Sequence, residues 1–252
     1  MTIETPEDLE GMKKACEAVG DALRRMREHA QPGMSTKELD DFGKDILESY
    51  GAFSAPKKEY DFPGWTCISV NQEACHGIPS SSVILKEGDL VNIDVSAVLN
   101  GYFGDNGGSF ILGEDLQNLS PLVEASHEIL TAAISRIKGG VRIASLGGFI
   151  ENQAKRRGYS TIRNLTGHGI GRKLHDSPKE IPNFNDRLNL NRFRKNTVVA
   201  VETFISTNAR MVYQMPDGWT MKAKDGSFVA QHEHTLLITD GAPVILTHNN
   251  GI

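Results

Sequence analysis

The sequence predicts an α+β fold in which two similar halves surround a shared antiparallel sheet, and three repeated patterns indicate it. The first pattern is helical and repeats at an offset of 107: Gly33, Leu39, Phe42 and Gly51 recur as Gly140, Leu146, Phe149 and Gly158. The second is strand-like, LKEGDLVNIDV at 85–95, which aligns with FRKNTVVAVET at 193–203. The third is the tripeptide His-Gly-Ile, at 76–78 and again at 168–170, and we interpret its two copies as duplicated loops. We therefore expect one domain over 1–252, with halves of 1–115 and 116–252.

The composition is that of an ordinary globular protein, with 39% hydrophobic and 23% charged residues among 252. The net charge of −5 argues against nucleic acid or an anionic membrane as the main partner. The start of the chain has no apolar signal-type run, and no later run reaches membrane-spanning length. The three cysteines, Cys16, Cys67 and Cys75, form no CxxC pair. They favour a protein of the reducing cytoplasm over a disulfide framework.

Each half begins with a pair of predicted helices. Thr5-Pro6 provides an N-cap and a first helical residue for an amphipathic segment whose apolar residues recur every three or four positions. Ser35 and Glu38 form a capping-box pattern at the start of a second helix. Pro121 begins an amphipathic helix in the second half, and the segment 140–158 repeats the pattern of the second helix. Each half of the chain is therefore predicted to contain two helices followed by strands.

A β-hairpin is predicted around Asn100-Gly101, because this dipeptide suits a two-residue turn with positive φ at both positions. Counting outward from the turn places Ser96 opposite Asp105. Asp94 lies on the same face as Ser96, two residues earlier, so it becomes the diagonal neighbour of Asp105. Two carboxylates therefore meet on one face of the sheet.

A solvated sheet face could hold these two carboxylates at little cost, but the flanking runs LVNIDV and SFIL are apolar enough to be buried. Buried carboxylates repel each other, and the pKa of at least one would rise unless a cation lies between them. A metal ion is the simplest resolution. The second half adds Glu202 in the apolar run NTVVAVETFIST, Glu233 in SFVAQHEHTLLIT, and His168 on a glycine-rich segment. His232 and His234 point away from Glu233 in a strand and are expected to be packing residues.

The ordered set Asp94, Asp105, His168, Glu202 and Glu233, with CHGIP upstream and GHGIG between, resembles that of the methionine aminopeptidases. These enzymes have the pita-bread fold, which prolidase-like enzymes share. The resemblance covers essentially the whole chain. Only 33 residues separate His168 from Glu202, which matches the type I form and leaves no room for the long insertion of type II.

The resemblance implies two divalent metal ions, of Mn, Fe, Co or Zn. Asp105 and Glu233 would bridge them, Asp94 would chelate one ion, and His168 and Glu202 would complete the other. Four carboxylates balance two such cations, and mixed oxygen and nitrogen ligands suit these metals. A hydroxide shared by the ions would attack the scissile carbonyl, with Glu202 moving the proton.

The resemblance also assigns the residues around the substrate. His175 would donate to the carbonyl oxygen as it becomes an oxyanion, and His76 would contact the departing amide nitrogen. Ser96 stands where the family usually has Thr beside the nucleophile, and it keeps the hydroxyl that positions water. The methionine pocket would be formed by Phe62, Cys67 and Trp219.

Three other positions depart from the family pattern around this pocket. Tyr60 is displaced by one residue from the family's tyrosine, Leu174 replaces an aromatic residue, and Thr203 replaces a proline.

The implied function is removal of the initiator methionine from nascent polypeptides with a small second residue. The enzyme is expected to be a cytoplasmic monomer whose partners are nascent N-termini, with the ribosome as a further candidate. Two alternatives stay open: an aminopeptidase of the same fold with shifted, Xaa-Pro type specificity, and a non-catalytic binding protein of the same fold.

Overall fold

The computed structural model describes all residues, 1–252, and contains five helices. They are α1 (Pro6–His29), α2 (Thr36–Ser49), α3 (Ala55–Tyr60), α4 (Ser120–Ile134) and α5 (Ile143–Arg156). No helix combines the length and the apolar character that crossing a membrane requires.

Thirteen strands accompany these helices. They are β1 (Phe53–Ser54), β2 (Cys67–Val70), β3 (Glu73–Cys75), β4 (Leu90–Leu99), β5 (Tyr102–Ile111), β6 (Ser160–Thr161), β7 (Thr166–Gly169), β8 (Asp176–Pro182), β9 (Val198–Ser206), β10 (Tyr213–Gln214), β11 (Met221–Lys222), β12 (Val229–Leu237) and β13 (Val244–Ile245).

Ten of the strands form one sheet, in the order β1-β4-β5-β12-β9-β7-β8, with β2 added to β4, β6 to β9 and β13 to β12. Every pairing in this sheet is antiparallel. The remaining three strands form a small sheet in the order β10-β11-β3. The α+β class and the shared antiparallel sheet predicted from the sequence are confirmed.

Successive side chains of the central strands alternate between two faces of the sheet: a core face, which packs against helices, and a site face, which carries the acidic residues. Val91, Ile93 and Val95 of β4 pack in one cluster with α1 and α2, and Val199 and Val201 of β9 pack in another with α4 and α5. Residues of the opposite parity, which include the acidic ones, project to the other face because successive side chains of a strand alternate. The helices α1, α2, α4 and α5 therefore cover one side of the sheet and leave the other side for the site.

The local signals in the sequence correspond to observed elements. The side chain of Thr5 accepts a hydrogen bond from the Asp8 amide and caps α1, with Pro6 at the first helical position. Ser35 and Glu38 form the predicted capping box of α2. The β4–β5 hairpin has the predicted register, with Ser96 opposite Asp105.

Two pairs of glycines occupy equivalent places in the two halves. Gly33 and Gly140, which precede α2 and α5, have φ of +93° and +87°. Gly51 and Gly158, which follow these helices, have φ of +72° and +82°. This left-handed region is open to glycine at little cost. We infer that 1–115 and 116–252 are two copies of one ancestral unit.

The repeated His-Gly-Ile tripeptide does not mark equivalent positions. Asp94 in β4 and Glu202 in β9 correspond at an offset of 108, and each strand pairs with a short outer strand. In the second half His168 lies in that outer strand, opposite Ala200. The first-half residue in the same place is Ser69, opposite Asn92, whereas His76 lies beyond β3. The interpretation of the two tripeptides as duplicated loops is therefore wrong.

Gly104 lies where β5 and α1 approach most closely, one residue before Asp105. A Cβ at this position would lie 2.9 Å from the carbonyl carbon of Ala15 and 3.0 Å from the backbone nitrogen of Cys16. We expect Gly104→Ala to lower the free energy of unfolding by about 1–3 kcal/mol, because α1 must move away from the sheet. Chemical denaturation measures this change.

Gly139→Ala is the matched control, because a Cβ there meets no atom nearer than 3.5 Å. We expect it to change stability by less than about 1 kcal/mol. Equal losses in the two variants would show that α1 does not constrain β5 in this way.

Candidate active site

One cavity on the site face of the sheet is lined by all eleven of the side chains to which a role was assigned from the sequence. They are Phe62, Cys67, His76, Asp94, Ser96, Asp105, His168, His175, Glu202, Trp219 and Glu233. The roles themselves stay proposals; the structure gives the positions. It also places Tyr60, Cys75, Leu174 and Phe204 in the same lining.

Each predicted metal ligand comes from a different strand. Asp94 and Asp105 lie on β4 and β5, Glu233 and Glu202 lie on β12 and β9, and His168 lies on β7. Glu233 is directly opposite Glu202 in the antiparallel ladder. These strands are consecutive in the sheet, so the backbone hydrogen bonds set the spacing of the ligands.

The four carboxylates line one cavity, with Asp105 and Glu233 buried and Asp94 and Glu202 half-buried, without a compensating charge from the chain. Burial raises the pKa of Asp94 to about 7, and burial raises that of Asp105 well above its ordinary value, with repulsion from Asp94 adding to the rise. Burial and repulsion from the other carboxylates also raise the pKa values of Glu202 and Glu233. No Lys or Arg forms a salt bridge with any of them. The cavity therefore concentrates negative charge that needs an external cation.

The donor atoms fit a divalent metal. One ligand atom each of Asp105, His168 and Glu233 lies within 4.8 Å of the others. Glu233 is 1% exposed, and its Oε1 has no hydrogen-bond partner although it is buried. A buried carboxylate oxygen without a partner is costly, and coordination of a cation satisfies it. Oxygen ligands with one imidazole suit first-row divalent metals.

His168 presents a nitrogen lone pair to this cluster. Burial, with the neighbouring His175, lowers the pKa of His168 to about 3, so the ring is neutral near pH 7. Its Nδ1 lies 3.0 Å from the carbonyl oxygen of Gly169, which can only accept, so Nδ1 carries the hydrogen. Nε2 is then unprotonated, 3.6 Å from Oδ2 of Asp105. A fixed tautomer of this kind is typical of a metal-binding histidine.

The other two histidines flank the cavity. His76 adopts a left-handed backbone with φ of +56°, and burial lowers its pKa to about 4. His175 packs beside His168 with ring centroids 4.2 Å apart, and burial lowers its pKa as well. The hydroxyl of Tyr60 lies 2.7 Å from Nδ1 of His175. The displaced tyrosine of the sequence thus contacts one of the proposed catalytic side chains.

Gln231 is a site residue that the sequence reasoning missed. Its Nε2 donates to Oε2 of Glu233 at 3.0 Å and lies 3.4 Å from Oε2 of Glu202. Nδ2 of Asn92 in turn donates to Oε1 of Gln231 at 2.8 Å. Alternation offered a signal, because Gln231 precedes Glu233 by two residues and shares its face. His232 and His234 turn away, as predicted, and contact Ser126 and Thr247.

The apolar part of the cavity adjoins the carboxylates. Phe62 and Trp219 pack edge to face with ring centroids 5.2 Å apart. Cys67 lies opposite Asp94 in the β2–β4 ladder, so the apolar wall begins one strand from the acidic cluster. The hydroxyl of Ser96 donates to Oδ1 of Asp105 at 2.6 Å. An apolar recess therefore adjoins the acidic cluster within one cavity.

Comparison with known proteins identifies the relatives of this arrangement. The model of metallopeptidase family M24 matches residues 10–240. The chain is similar to "Methionine aminopeptidase 2" of Bacillus subtilis, with 48% identity over 98% of this chain and 99% of that protein. It is also similar to the crystal structure of methionine aminopeptidase from Thermotoga maritima, with a TM-score of 0.93, 37% identity and coverage of 98% and 99%.

More distant structures share the fold alone. Prolidase from Pyrococcus furiosus superposes with a TM-score of 0.76 at 23% identity, over 98% of this chain and 65% of that one. The pita-bread fold predicted from the sequence is thereby confirmed.

The pKa of Asp94 gives the metal-free protein a testable dependence on pH. Its ordinary value is 3.8 and its native value is about 7, so between these pH values the native state binds a proton that the unfolded state has lost. The contribution of this group to stability is therefore present at low pH and is lost as pH rises through about 7. Asp94→Asn should remove that loss, so the stability of the variant should increase relative to that of the wild type as pH rises.

Urea denaturation in EDTA across this pH range measures the difference between the two proteins. Asp45→Asn, an exposed surface change, is the control and should show no such trend. Added Mn²⁺ or Zn²⁺ should make the wild type the more stable of the two proteins, because the metal binds the complete site more tightly than the site of the variant. A wild type more stable than Asp94→Asn at every pH without metal would contradict the buried repulsion.

Proposed function

The chain belongs to metallopeptidase family M24, and we propose that it removes the N-terminal methionine from polypeptides whose second residue is small. One observation carries the proposal: a metal-binding cluster of four carboxylates and a histidine shares one cavity with a small apolar pocket and two further histidines. Hydrolysis of a peptide bond next to a methionine side chain requires both parts of this cavity.

Five side chains are proposed to hold two divalent metal ions: Asp94, Asp105, His168, Glu202 and Glu233. The ions supply the acidification of a water nucleophile and the polarisation of the scissile carbonyl. Gln231 holds Oε2 of Glu202, which leaves Oε1 to take the proton and to pass it to the departing amine. Gln231 also holds Glu233 by the same amide group, so it orients both carboxylates.

The remaining lining residues bind and orient the substrate. His175 donates to the carbonyl oxygen as negative charge develops there, and His76 contacts the scissile amide. Phe62, Cys67 and Trp219 surround the methionine side chain, for which an unbranched and polarisable thioether is well suited. Ser96 remains the proposed positioning group for the nucleophile.

We further propose that the substrates are nascent chains in the cytoplasm, met as they leave the ribosome. The three cysteines are buried and unpaired, which suits a reducing compartment. All five proposed ligands come from one chain, so a monomer is sufficient for the reaction.

Substitution of the two adjacent histidines should separate their roles. We expect His175→Ala to lower kcat by ~10²–10³-fold with little change in bound metal, because one oxyanion donor is lost. His168→Ala should instead lower metal content, measured by elemental analysis after dialysis. His248→Ala, an exposed histidine outside the cavity, is the control. Equal metal loss in both cavity variants would contradict this division of roles.

A panel of tripeptides tests the substrate class. We expect cleavage of Met-Gly-Met and Met-Ala peptides, and refusal of Met-Lys peptides and of N-acetylated or formylated ones, in assays with Mn²⁺, Co²⁺, Fe²⁺ and Zn²⁺. Leucine or norleucine peptides should be cleaved ~10–200-fold more slowly, as a small change in an apolar pocket allows.

Two outcomes of this panel would overturn the proposal. Preference for an Xaa-Pro bond regardless of the first residue would indicate prolidase-like specificity. Absence of cleavage with every metal would indicate a binding protein of the same fold.

A further inference from the structure

The imidazole rings of His168 and His175 are adjacent, but their Nδ1 atoms face partners of opposite hydrogen-bonding character. Their ring centroids lie 4.2 Å apart with an interplanar angle of 52°. Nδ1 of His168 faces a backbone carbonyl oxygen, that of Gly169, which only accepts. Nδ1 of His175 faces the hydroxyl of Tyr60 at 2.7 Å, which can donate. A neutral imidazole carries one hydrogen, so the partner at Nδ1 decides what Nε2 presents.

We propose that Tyr60 is a positioning residue that holds His175 in the tautomer protonated at Nε2. The two neighbouring histidines then present opposite groups to the cavity: His168 offers a lone pair and His175 offers an N–H donor. The value of that donor rests on the proposed function, since a developing oxyanion needs an N–H and a metal ion needs a lone pair. Tyr60 thereby determines that His175 presents the donor while His168 presents the lone pair.

The geometry favours Tyr60 as the donor in this contact. The 2.7 Å separation matches hydrogen bonds donated by hydroxyl groups, whereas those donated by N–H groups are centred near 2.9–3.0 Å. Burial and the nearby Glu59 carboxylate raise the pKa of Tyr60, so its hydroxyl keeps the proton it donates.

The same short element places Tyr60 and a wall of the methionine pocket. Tyr60 is the last residue of α3, a helix capped by Ser54 and followed by Asp61 in the left-handed conformation with φ of +59°. This reversal directs the next residue, Phe62, into the interior, where it is 1% exposed, while Tyr60 remains 42% exposed at the mouth of the cavity. Tyr60 is thus linked by a single turn to Phe62 of the proposed methionine pocket.

The tautomer of His175 can be read directly in Tyr60→Phe, which removes the hydroxyl and keeps the ring. Long-range ¹H–¹⁵N NMR of histidine-labelled full-length protein loaded with Zn²⁺, a diamagnetic ion, distinguishes protonated from unprotonated ring nitrogens. His175→Gln identifies the resonances of His175. We expect Nε2–H in the wild type, a shift towards Nδ1–H in Tyr60→Phe, and His168 protonated at Nδ1 in both.

Kinetics and metal titration complete the experiment. Tyr60→Phe should lower kcat by ~10–100-fold, as loss of an orienting partner typically does, with KM and Zn²⁺ affinity nearly unchanged. Tyr50→Phe is the matched control, because its hydroxyl contacts Asp21 at the surface and should leave tautomer and rate unchanged.

An Nδ1–H tautomer of His175 in the wild type, or an unchanged tautomer and rate in Tyr60→Phe, would overturn the assignment. The NMR measurement needs no substrate. A tautomer change therefore supports the role of Tyr60 even if no peptide were cleaved, a result that would overturn the aminopeptidase function instead.

Discussion

The structure depends on four carboxylates that lie side by side, buried or half-buried, with no cation from the chain. Asp94, Asp105, Glu202 and Glu233 lie on the central strands of the sheet, where burial raises their pKa values and, at all but Asp94, mutual repulsion adds to the rise. Such an arrangement opposes folding, and it persists because the other face of the same strands packs against helices in large apolar clusters. The core thus holds in place a cluster that becomes favourable only when a cation is bound.

An antiparallel ladder suits the binding of a cation because it fixes both the spacing of the acidic side chains and the direction in which they project. Neighbouring strands lie about 5 Å apart, so one acidic residue per strand brings carboxylates to the separation that bound ions require. Glu202 and Glu233 are directly paired, and a single amide from Gln231 restrains both. Asn92 of β4, two strands away in the sheet, fixes that amide. The orientation of the ligands is therefore set by strand register and by a short polar network, while loops supply His76, His175 and the pocket residues Phe62 and Trp219.

Much of this site could be predicted from the sequence because its strongest signals are local. The Asn100-Gly101 turn determines the hairpin register, and the register brings Asp94 to Asp105. Alternation alone showed that Glu233 faces away from its two histidine neighbours. The contacts that were missed join segments distant in sequence: Gln231 reaches Glu202 across the β9–β12 pairing, and Tyr60 reaches His175 over 115 residues. The His-Gly-Ile repeat misled for the opposite reason, since the same tripeptide occupies a loop after β3 in one half and the end of strand β7 in the other.

Within the ten-stranded sheet, the two halves of the chain meet at the junction of β5 and β12, where the ladder contains a single register pair, His232 with Gly108. Asp94 and Asp105 come from one side of this junction, and His168, Glu202 and Glu233 come from the other. A metal pair held by these side chains would therefore crosslink the two halves at a point where one register pair joins their backbones. Separation of β5 from β12 would then require release of the ions, which would couple the opening of this junction to metal binding.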